Sequence, residues 1–246
     1  GTNSLLDIAG SINNSSTLDI SNGSMEVGDD LINSSTFTVT NSKVIFDGTN
    51  NSIVDDNDGI TFNELAIIKA LDNDSVKYDD DITVNGDFSI NTGTLFNQGD
   101  ANTFEVNAAA VLTGGEIQHK DGVILFNSSF SNTNGLLASW SNDITDYVEF
   151  GDDITIAGVS NMSNYGSVPC RLTGDTKSIN SSSPSLLTSN WSIDLQNTAN
   201  YTLNDNCDFD DITISITGMR ITMVINTSSL NLIFRFSNLR FAINCI

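Results

Sequence analysis

One phrase of alternating apolar and polar residues occurs twice early in the chain. Residues 12–20 read Ile-Asn-Asn-Ser-Ser-Thr-Leu-Asp-Ile, and residues 32–39 read Ile-Asn-Ser-Ser-Thr-Phe-Thr-Val, one residue shorter. The position of Leu18 in the first copy matches that of Phe37 in the second. This period of about 20 residues is roughly one coil of a β-solenoid, in which short strands alternate with turns and each coil pairs with the next. The repeat therefore predicts a solenoid.

Strand-sized segments with a period of two recur further along the chain. Residues 82–84 (Ile-Thr-Val), 88–90 (Phe-Ser-Ile) and 104–106 (Phe-Glu-Val) each place two apolar residues on one face. Asn-Gly and Asp-Gly pairs favour turns because these residues tolerate positive φ. Since only 39% of the residues are hydrophobic and 16% are charged, Asn, Ser, Thr and Gly make up much of the chain. This composition favours strands and turns over helices.

These patterns predict an all-β protein that folds as a parallel β-solenoid (β-helix) rod. A β-sandwich is the alternative because it also contains many short strands, although it normally has more aromatic core residues and stronger hairpin signals. Residues 64–70 (Glu-Leu-Ala-Ile-Ile-Lys-Ala) are the one segment whose composition favours a helix. Their apolar residues also fit a strand.

A second phrase, Asp-Asp-Ile-Thr followed by Val or Ile, occurs at residues 80–84, 152–156 and 210–214. The unequal spacing of the three copies excludes a strict unit repeat. Each copy predicts an acidic turn that is followed by an inward-facing strand.

We expect three regions in one continuous body. Residues 1–160 contain the repeat coils. Residues 161–190 hold both prolines and much Ser, Asn and Gly, so they predict irregular loops. Residues 191–246 are predicted to form apolar, strand-rich coils that continue the rod.

The net charge restricts the partners of the chain. The formal charge of −22 arises from 31 acidic and 9 basic residues, so the surface repels nucleic-acid phosphates and anionic lipids. We therefore expect no nucleic-acid partner. The sequence has no uninterrupted apolar run of about 18 residues, so we expect no transmembrane helix and no membrane insertion.

Three segments in the first half of the chain share Thr-containing strand patterns with Asn or Gly residues within or beside them. They are residues 12–20, residues 28–39 (Gly-Asp-Asp-Leu-Ile-Asn-Ser-Ser-Thr-Phe-Thr-Val) and residues 86–95 (Gly-Asp-Phe-Ser-Ile-Asn-Thr-Gly-Thr-Leu). In these phrases, residues 6–106 resemble the degenerate repeats of bacterial β-helix surface proteins and adhesin passengers. The resemblance implies a β-helix fold and an extracellular or cell-surface location, and it supplies no catalytic residues.

The two ends of the chain differ in charge. Residues 212–246 contain three arginines and no acidic residue, for a net charge of +3, and residues 1–68 have a net charge of −9. Opposite charges at the ends of a rod favour head-to-tail contact between copies. The alternative is a monomeric rod in which the C-terminal coils are the best buried and their arginines extend to the surface. The predicted assembly interface consists of Arg220, Arg235, Arg240 and Phe241.

Polysaccharide lyases and hydrolases also use the β-helix fold, so enzymatic activity is a further alternative. The related hydrolases combine aspartates with a Gly-flanked histidine and an Arg-x-Lys element. Here the only histidine, His119, lies in Gln-His-Lys, and no Arg-x-Lys occurs. The adjacent aspartates at 80–81, 152–153 and 210–211 remain candidate carboxylate pairs. Because such pairs on turns are usually solvated, we predict that the chain is not an enzyme.

Calcium is the one cofactor that the sequence suggests. Asp55, Asp56 and Asp58 lie in Asp-Asp-Asn-Asp-Gly, which resembles half of a calcium-binding loop. The alternative is a solvated acidic turn.

The three cysteines leave two interpretations open. Cys207 and Cys245 form one disulfide if the chain is exported, and Cys170 is then left over. Alternatively, all three are small buried apolar residues.

Together these features predict an extracellular structural protein, the protomer of a surface filament or fibre that assembles head to tail with copies of itself. The alternative function is an adhesin or carbohydrate-binding stalk. Glycans would then contact aromatic residues, and the candidates are Trp140, Trp191, Tyr147, Tyr165 and Tyr201.

Overall fold

The computed structural model describes residues 4–56, 58–97, 101–143, 145–158 and 161–181 and, further along, the strands at 192–195, 201–205, 212–216, 224–225, 232–235 and 244–245. This part of the chain contains 31 strands and no helix. Every strand pairing within it is parallel, as between the first two coils. The predicted parallel β-solenoid is therefore confirmed, and the β-sandwich alternative does not apply.

Eight successive coils contain three strands each. The first three coils comprise β1 (Ser4–Ile8), β2 (Ile12–Asn14), β3 (Thr17–Asp19), β4 (Gly23–Val27), β5 (Leu31–Asn33), β6 (Thr36–Thr38), β7 (Lys43–Phe46), β8 (Ser52–Asp56) and β9 (Ile60–Phe62). The next three comprise β10 (Glu64–Ile68), β11 (Ser75–Tyr78), β12 (Ile82–Val84), β13 (Phe88–Thr92), β14 (Thr94–Asn97), β15 (Thr103–Val106), β16 (Ala110–Leu112), β17 (Glu116–His119) and β18 (Val123–Phe126). The last two comprise β19 (Phe130–Asn132), β20 (Leu136–Ser139), β21 (Tyr147–Phe150), β22 (Ile154–Ile156), β23 (Asn161–Asn164) and β24 (Pro169–Leu172).

Seven further strands follow these coils. They are β25 (Lys177–Ser181), β26 (Ser192–Leu195), β27 (Tyr201–Asp205), β28 (Ile212–Ile216), β29 (Val224–Ile225), β30 (Leu232–Arg235) and β31 (Asn244–Cys245). Strands β25 and β27 extend one long sheet, and β26, β28 and β30 extend another.

The strands form three long parallel sheets, one on each face of the solenoid. The first face has ten strands, from β1 through every third strand to β25 and then β27. The second face has eight strands, from β2 to β23, and the third has nine, from β9 to β30. Strands β3 and β6 form a separate pair, as do β29 and β31. Each residue therefore has a counterpart about 4.8 Å away in the next coil.

The register between coils confirms the repeat and corrects its alignment. Leu18 pairs with Phe37, as the repeat predicts. Ile12, however, pairs with Leu31 and not with Ile32. The first coils therefore keep one constant offset, and the apparent loss of one residue is an alignment error that arises from matching isoleucine to isoleucine. In later coils the offset is larger, as between Ile154 and Ile179.

Three sequence segments can now be placed. Residues 64–68, for which a helix was one interpretation, form strand β10 of the first face. Residues 161–181, within the segment predicted to be irregular, form β23, β24 and β25, each paired with the preceding coil. The Asp-Asp-Ile phrases precede β12 on the third face and β22 on the first, so equivalent phrases occupy different faces.

Inward-facing aliphatic and aromatic side chains fill the inside of the solenoid. Phe126 and Phe150, from neighbouring coils of the third face, stack with ring centroids 5.3 Å apart. Phe130, from the first face, contacts both rings at 4.7 and 5.2 Å. Such aromatic pairs add about 0.5–1.5 kcal/mol each beyond the area that they bury. The core therefore runs along the rod axis and joins the faces.

Glycines allow the coils to approach each other closely at the corner between the first and second faces. A methyl group built at Gly48 would overlap the carbonyl oxygen of Gly28 in the preceding coil. The side chain of Lys69 enters this corner, where its Nζ donates to Ser52 Oγ at 2.6 Å and to the Gly28 carbonyl oxygen at 3.4 Å. Burial lowers the pKa of Lys69, and nearby aspartates oppose that shift.

Replacement of Gly48 tests this close approach. We expect Gly48→Ala to lower the free energy of unfolding by at least about 2 kcal/mol, because the backbone of one coil must move to admit the methyl group. Urea denaturation measures the effect. Gly10→Ala is the matched control, since a methyl group there has nothing within 4 Å. Equal stability of the two variants would contradict the close packing.

Candidate binding surface

Two lysines contact one phenylalanine ring on the outside of the second face. Lys77 of β11 and Phe96 of β14 are in register in neighbouring coils, and Lys77 Nζ lies 5.4 Å from the ring centroid. Lys120, which follows β17, places its Nζ 4.0 Å from the same centroid. Within the described residues, neither ammonium group forms an ion pair. The ring therefore holds two positive charges that have no carboxylate partner in this part of the chain.

Two aromatic residues stack on each other in the two coils that follow Lys120. Trp140 and Tyr165 have ring centroids 5.1 Å apart and planes inclined by 22°. They are 38% and 59% exposed, respectively. Within the described residues, neither the indole N–H of Trp140 nor the hydroxyl of Tyr165 makes a hydrogen bond to the protein. In the part of the chain that the structure describes, both polar groups are therefore without a hydrogen-bond partner.

Strand register explains why these residues meet. His119, Ser139 and Asn164 are in register at the ends of β17, β20 and β23. The residues that follow them are Lys120, Trp140 and Tyr165, and they form an axial column on the outside. We call Lys77, Phe96, Lys120, Trp140 and Tyr165 the aromatic-lysine surface.

Glu116 of β17, an acidic residue of this face, already accepts a hydrogen bond. Gln118, in register with Phe96, donates from its Nε2 to Glu116 Oε2 at 3.0 Å. This hydrogen bond holds the Glu116 carboxylate against its own strand.

The other aromatic residues suggested by the sequence lie elsewhere. Tyr147 of β21 is on the third face, where the guanidinium carbon of Arg171 lies 3.6 Å from its ring centroid. Arg171 in turn is 3.9 Å from a carboxylate oxygen of Asp194. Trp191 and the side chain of Tyr201 lie outside the described residues. The structure thus brings together two of the five candidates, Trp140 and Tyr165.

A buried polar cluster lies directly inside this surface. His119 Nε2 is 2.9 Å from the carbonyl oxygen of Gly122, and Nδ1 is 2.9 Å from Ser139 Oγ. Since a carbonyl only accepts, we assign the proton to Nε2, and Ser139 donates to Nδ1. Burial lowers the pKa of His119. A serine bonded to a basic nitrogen resembles an activated nucleophile, but both residues are 0% exposed, and here they fix the turn after β17.

An acidic pair lies next to His119. Ser141 donates to Asp146 Oδ2, and Asp121 lies against the same carboxyl group. Burial and the negative charge of Asp121 raise the pKa of Asp146. No sequence signal identifies this cluster, because its members are separated by turns of different length.

The three calcium candidates do not converge in the structure. Asp55 and Asp56 are successive residues of β8, so their side chains point to opposite sides. Asp56 Oδ2 accepts a hydrogen bond from Asn33 Nδ2 at 2.6 Å, and Asp56 Oδ1 accepts one from the backbone N–H of Asp58 at 3.4 Å. No group of three acidic, histidine or cysteine residues in the described part of the chain is placed to hold a metal ion. Calcium binding therefore stays a prediction.

The adjacent aspartates accept hydrogen bonds from neighbouring coils. Asp80 Oδ2 accepts the backbone N–H of Asp56 at 3.1 Å. Asp153 Oδ1 accepts both the backbone N–H and the hydroxyl of Ser178, at 2.7 and 3.0 Å. Asp152 pairs with Lys177 at 2.7 Å. The third pair, at 210–211, lies outside the described residues.

The remaining candidate residues fall mostly outside the described part. Cys170 is buried with a free thiol, and burial raises its pKa to about 12. The candidate disulfide and the assembly interface are untested, and the positions outside the described residues are Cys207, Arg220, Arg240, Phe241 and the side chains of Arg235 and Cys245.

No described helix is long and apolar enough to cross a membrane.

The chain matches no protein-family model, no curated protein and no solved structure.

The buried cluster predicts how stability depends on pH. Because the folded-state pKa of His119 lies below its usual value, the unfolded chain binds the proton more readily. Stability therefore falls as the pH drops through about 6.5. We expect the stability difference between the wild type and His119→Gln to shrink between about pH 7.5 and about pH 5.5, measured by urea denaturation.

The titration of Asp146 changes stability in the opposite direction, and it does so at a lower pH than that of His119. Its raised pKa means that the folded chain binds the proton more readily, so its charge costs stability once the pH rises above the usual carboxyl value. Asp146→Asn therefore serves as the control that separates the two groups. A constant difference between wild type and His119→Gln across the range would contradict the buried neutral imidazole.

Proposed function

We propose that this chain is a structural rod of an extracellular surface protein. The observation that supports this role is that side-chain ladders bridge successive coils in addition to the backbone hydrogen bonds. A rod whose coils are also bonded through side chains resists bending and local opening, as a load-bearing or spacing element must.

The inner ladder lies among the first three coils. Asn14 Nδ2 donates to Asn33 Oδ1 at 2.6 Å, and Asn33 Nδ2 donates to Asp56 Oδ2 at 2.6 Å. Asn33 Nδ2 also donates to the carbonyl oxygen of Ser35 at 2.6 Å. Asn14 and Asn33 are buried, so each bond replaces a contact with water that the side chain has lost.

An outer ladder connects later coils in the same manner. Asn107 Nδ2 donates to Asn85 Oδ1 at 3.2 Å, and Asn127 Nδ2 donates to Asn107 Oδ1 at 2.7 Å. These three residues are exposed and uncharged. Such bonds are less sensitive to salt than ion pairs, which suits a surface rod whose ionic surroundings vary.

Removal of the central member of the inner ladder tests its contribution. We expect Asn33→Leu to lower the free energy of unfolding by about 3 kcal/mol, because partners of the lost amide stay buried without their hydrogen bonds. Asn13→Leu, at an exposed position of the adjacent strand, should change stability by less than about 0.5 kcal/mol. Thermal and urea unfolding measure both. A neutral effect of Asn33→Leu would refute a structural role of the ladder.

A more specific form of the proposal is head-to-tail assembly into a filament. It is supported by the charge difference along the sequence, −9 in residues 1–68 and +3 in residues 212–246. If the basic segment of one copy meets the acidic coils of the next, the contact is heterologous and propagates.

Charge reversal tests the assembly. We expect negative-stain electron microscopy of the wild type at low salt to show fibres, and the double variant Arg235→Glu/Arg240→Glu to remain as single rods with an unchanged circular-dichroism spectrum. Lys120→Glu is the control, since it reverses a charge that lies outside both the acidic segment 1–68 and the basic segment 212–246. Fibres of the double variant as long as those of the wild type would refute the electrostatic contact.

The second candidate function is an adhesin or carbohydrate-binding stalk. The observation that favours it is the exposed stack of Trp140 and Tyr165 on the seventh and eighth coils. Exposed aromatic groups with free polar edges are suited to contact with sugars.

A further inference from the structure

We propose that the aromatic-lysine surface binds a carboxylated polysaccharide, a chain of uronic-acid sugars that lies along the rod. This inference rests on the second candidate function and specifies its ligand. The chain as a whole is strongly acidic, and two of its five lysines meet on the ring of Phe96.

Charge complementarity indicates an anionic ligand. The ammonium groups of Lys77 and Lys120 lie on one aromatic ring and have no carboxylate partner among the described residues. The ring restrains both groups without neutralising them. At physiological salt the Debye length is about 8 Å, so carboxylates farther away than this are largely screened from a ligand that contacts these lysines. The nearby carboxyl group of Asp146 is buried and lies against Asp121.

The aromatic stack indicates a sugar. Trp140 and Tyr165 offer an indole N–H and a phenol O–H to ligand hydroxyls, and their electron-poor ring edges suit the hydroxyl oxygens of a sugar. Because the two rings stack on each other, no gap between them admits a planar base. An intercalated nucleotide is therefore disfavoured, whereas a non-planar, hydroxyl-rich sugar fits the exposed edges.

The position of the residues indicates an extended polymer. Lys77, Phe96, Lys120, Trp140 and Tyr165 belong to five successive coils, the fourth to the eighth. At about 4.8 Å per coil, the surface extends about 19 Å along the axis. A linear chain that carries a carboxylate on each sugar can contact the two lysines and the aromatic stack at the same time, whereas a monosaccharide reaches only one part.

Binding of oligogalacturonate, measured by isothermal titration calorimetry, tests the proposal. The matched ligand is the same oligosaccharide with its carboxylates methyl-esterified. We expect the free acid to bind at least about tenfold more tightly than the ester, and its affinity to fall as salt increases.

Variants assign the binding to this surface. We expect Lys77→Gln and Lys120→Gln each to weaken binding of the free acid about tenfold, and Trp140→Ala to weaken binding of both ligands. Lys43→Gln, a lysine on the first face, is the control and should bind as the wild type does. All four replace exposed or half-exposed side chains, and unchanged melting temperatures confirm that the variants are folded.

Each alternative result overturns the inference in a different way. Equal affinity for acid and ester would refute the acidic ligand and leave a carbohydrate-binding stalk. Binding that is unaffected by Lys77→Gln, Lys120→Gln and Trp140→Ala would refute this surface as the site. No binding of either sugar, or tighter binding of a single-stranded oligonucleotide, would refute the carbohydrate ligand. The structural role would then be tested separately, by the electron microscopy of filament assembly.

Discussion

The parallel backbone pairing between successive coils is the constraint on which the whole structure depends. It repeats along the three long sheets and places each strand residue about 4.8 Å from its counterpart in the next coil. A side chain on a strand therefore lies next to the side chain at the paired position of the neighbouring coil. Asparagine beside asparagine gives a hydrogen-bonded ladder, phenylalanine beside phenylalanine gives a stack, and glycine beside glycine gives a close corner. The same parallel pairing thus produces three kinds of stabilising contact between coils.

The sequence predicts the pairing between coils only in part. Leu18 and Phe37 are in register because the first coils are equal in length. The alignment of Ile12 with Ile32 is wrong because it lets similarity of side chains outweigh the constant spacing. Later coils lengthen through their turns, as between Ile154 and Ile179. A turn changes length without disturbing the strands beside it, so local patterns identify strands but not their partners.

The candidate site shows the same limitation more strongly. Trp140 and Tyr165 are recognisable in the sequence as aromatic residues available for sugars, but their contact depends on a longer coil that has no repeat signal. The meeting of Lys77 and Lys120 on Phe96 likewise requires the register of three coils. The buried pair of His119 and Ser139 was unpredictable for the same reason. Residue types can be read from the sequence, whereas their juxtaposition follows from coil lengths that only the fold reveals.

The buried polar cluster and the aromatic-lysine surface both lie where β17, β20 and β23 end. His119, Ser139 and Asn164 point inward and bind one another or the backbone of their own turns. The next residue in each coil, Lys120, Trp140 or Tyr165, therefore projects outward from a backbone that is held from inside. Side chains on such a support lose less conformational freedom when a ligand binds than they would on a mobile loop. The polar interior of this corner is thus the physical reason that the surface above it is preorganised.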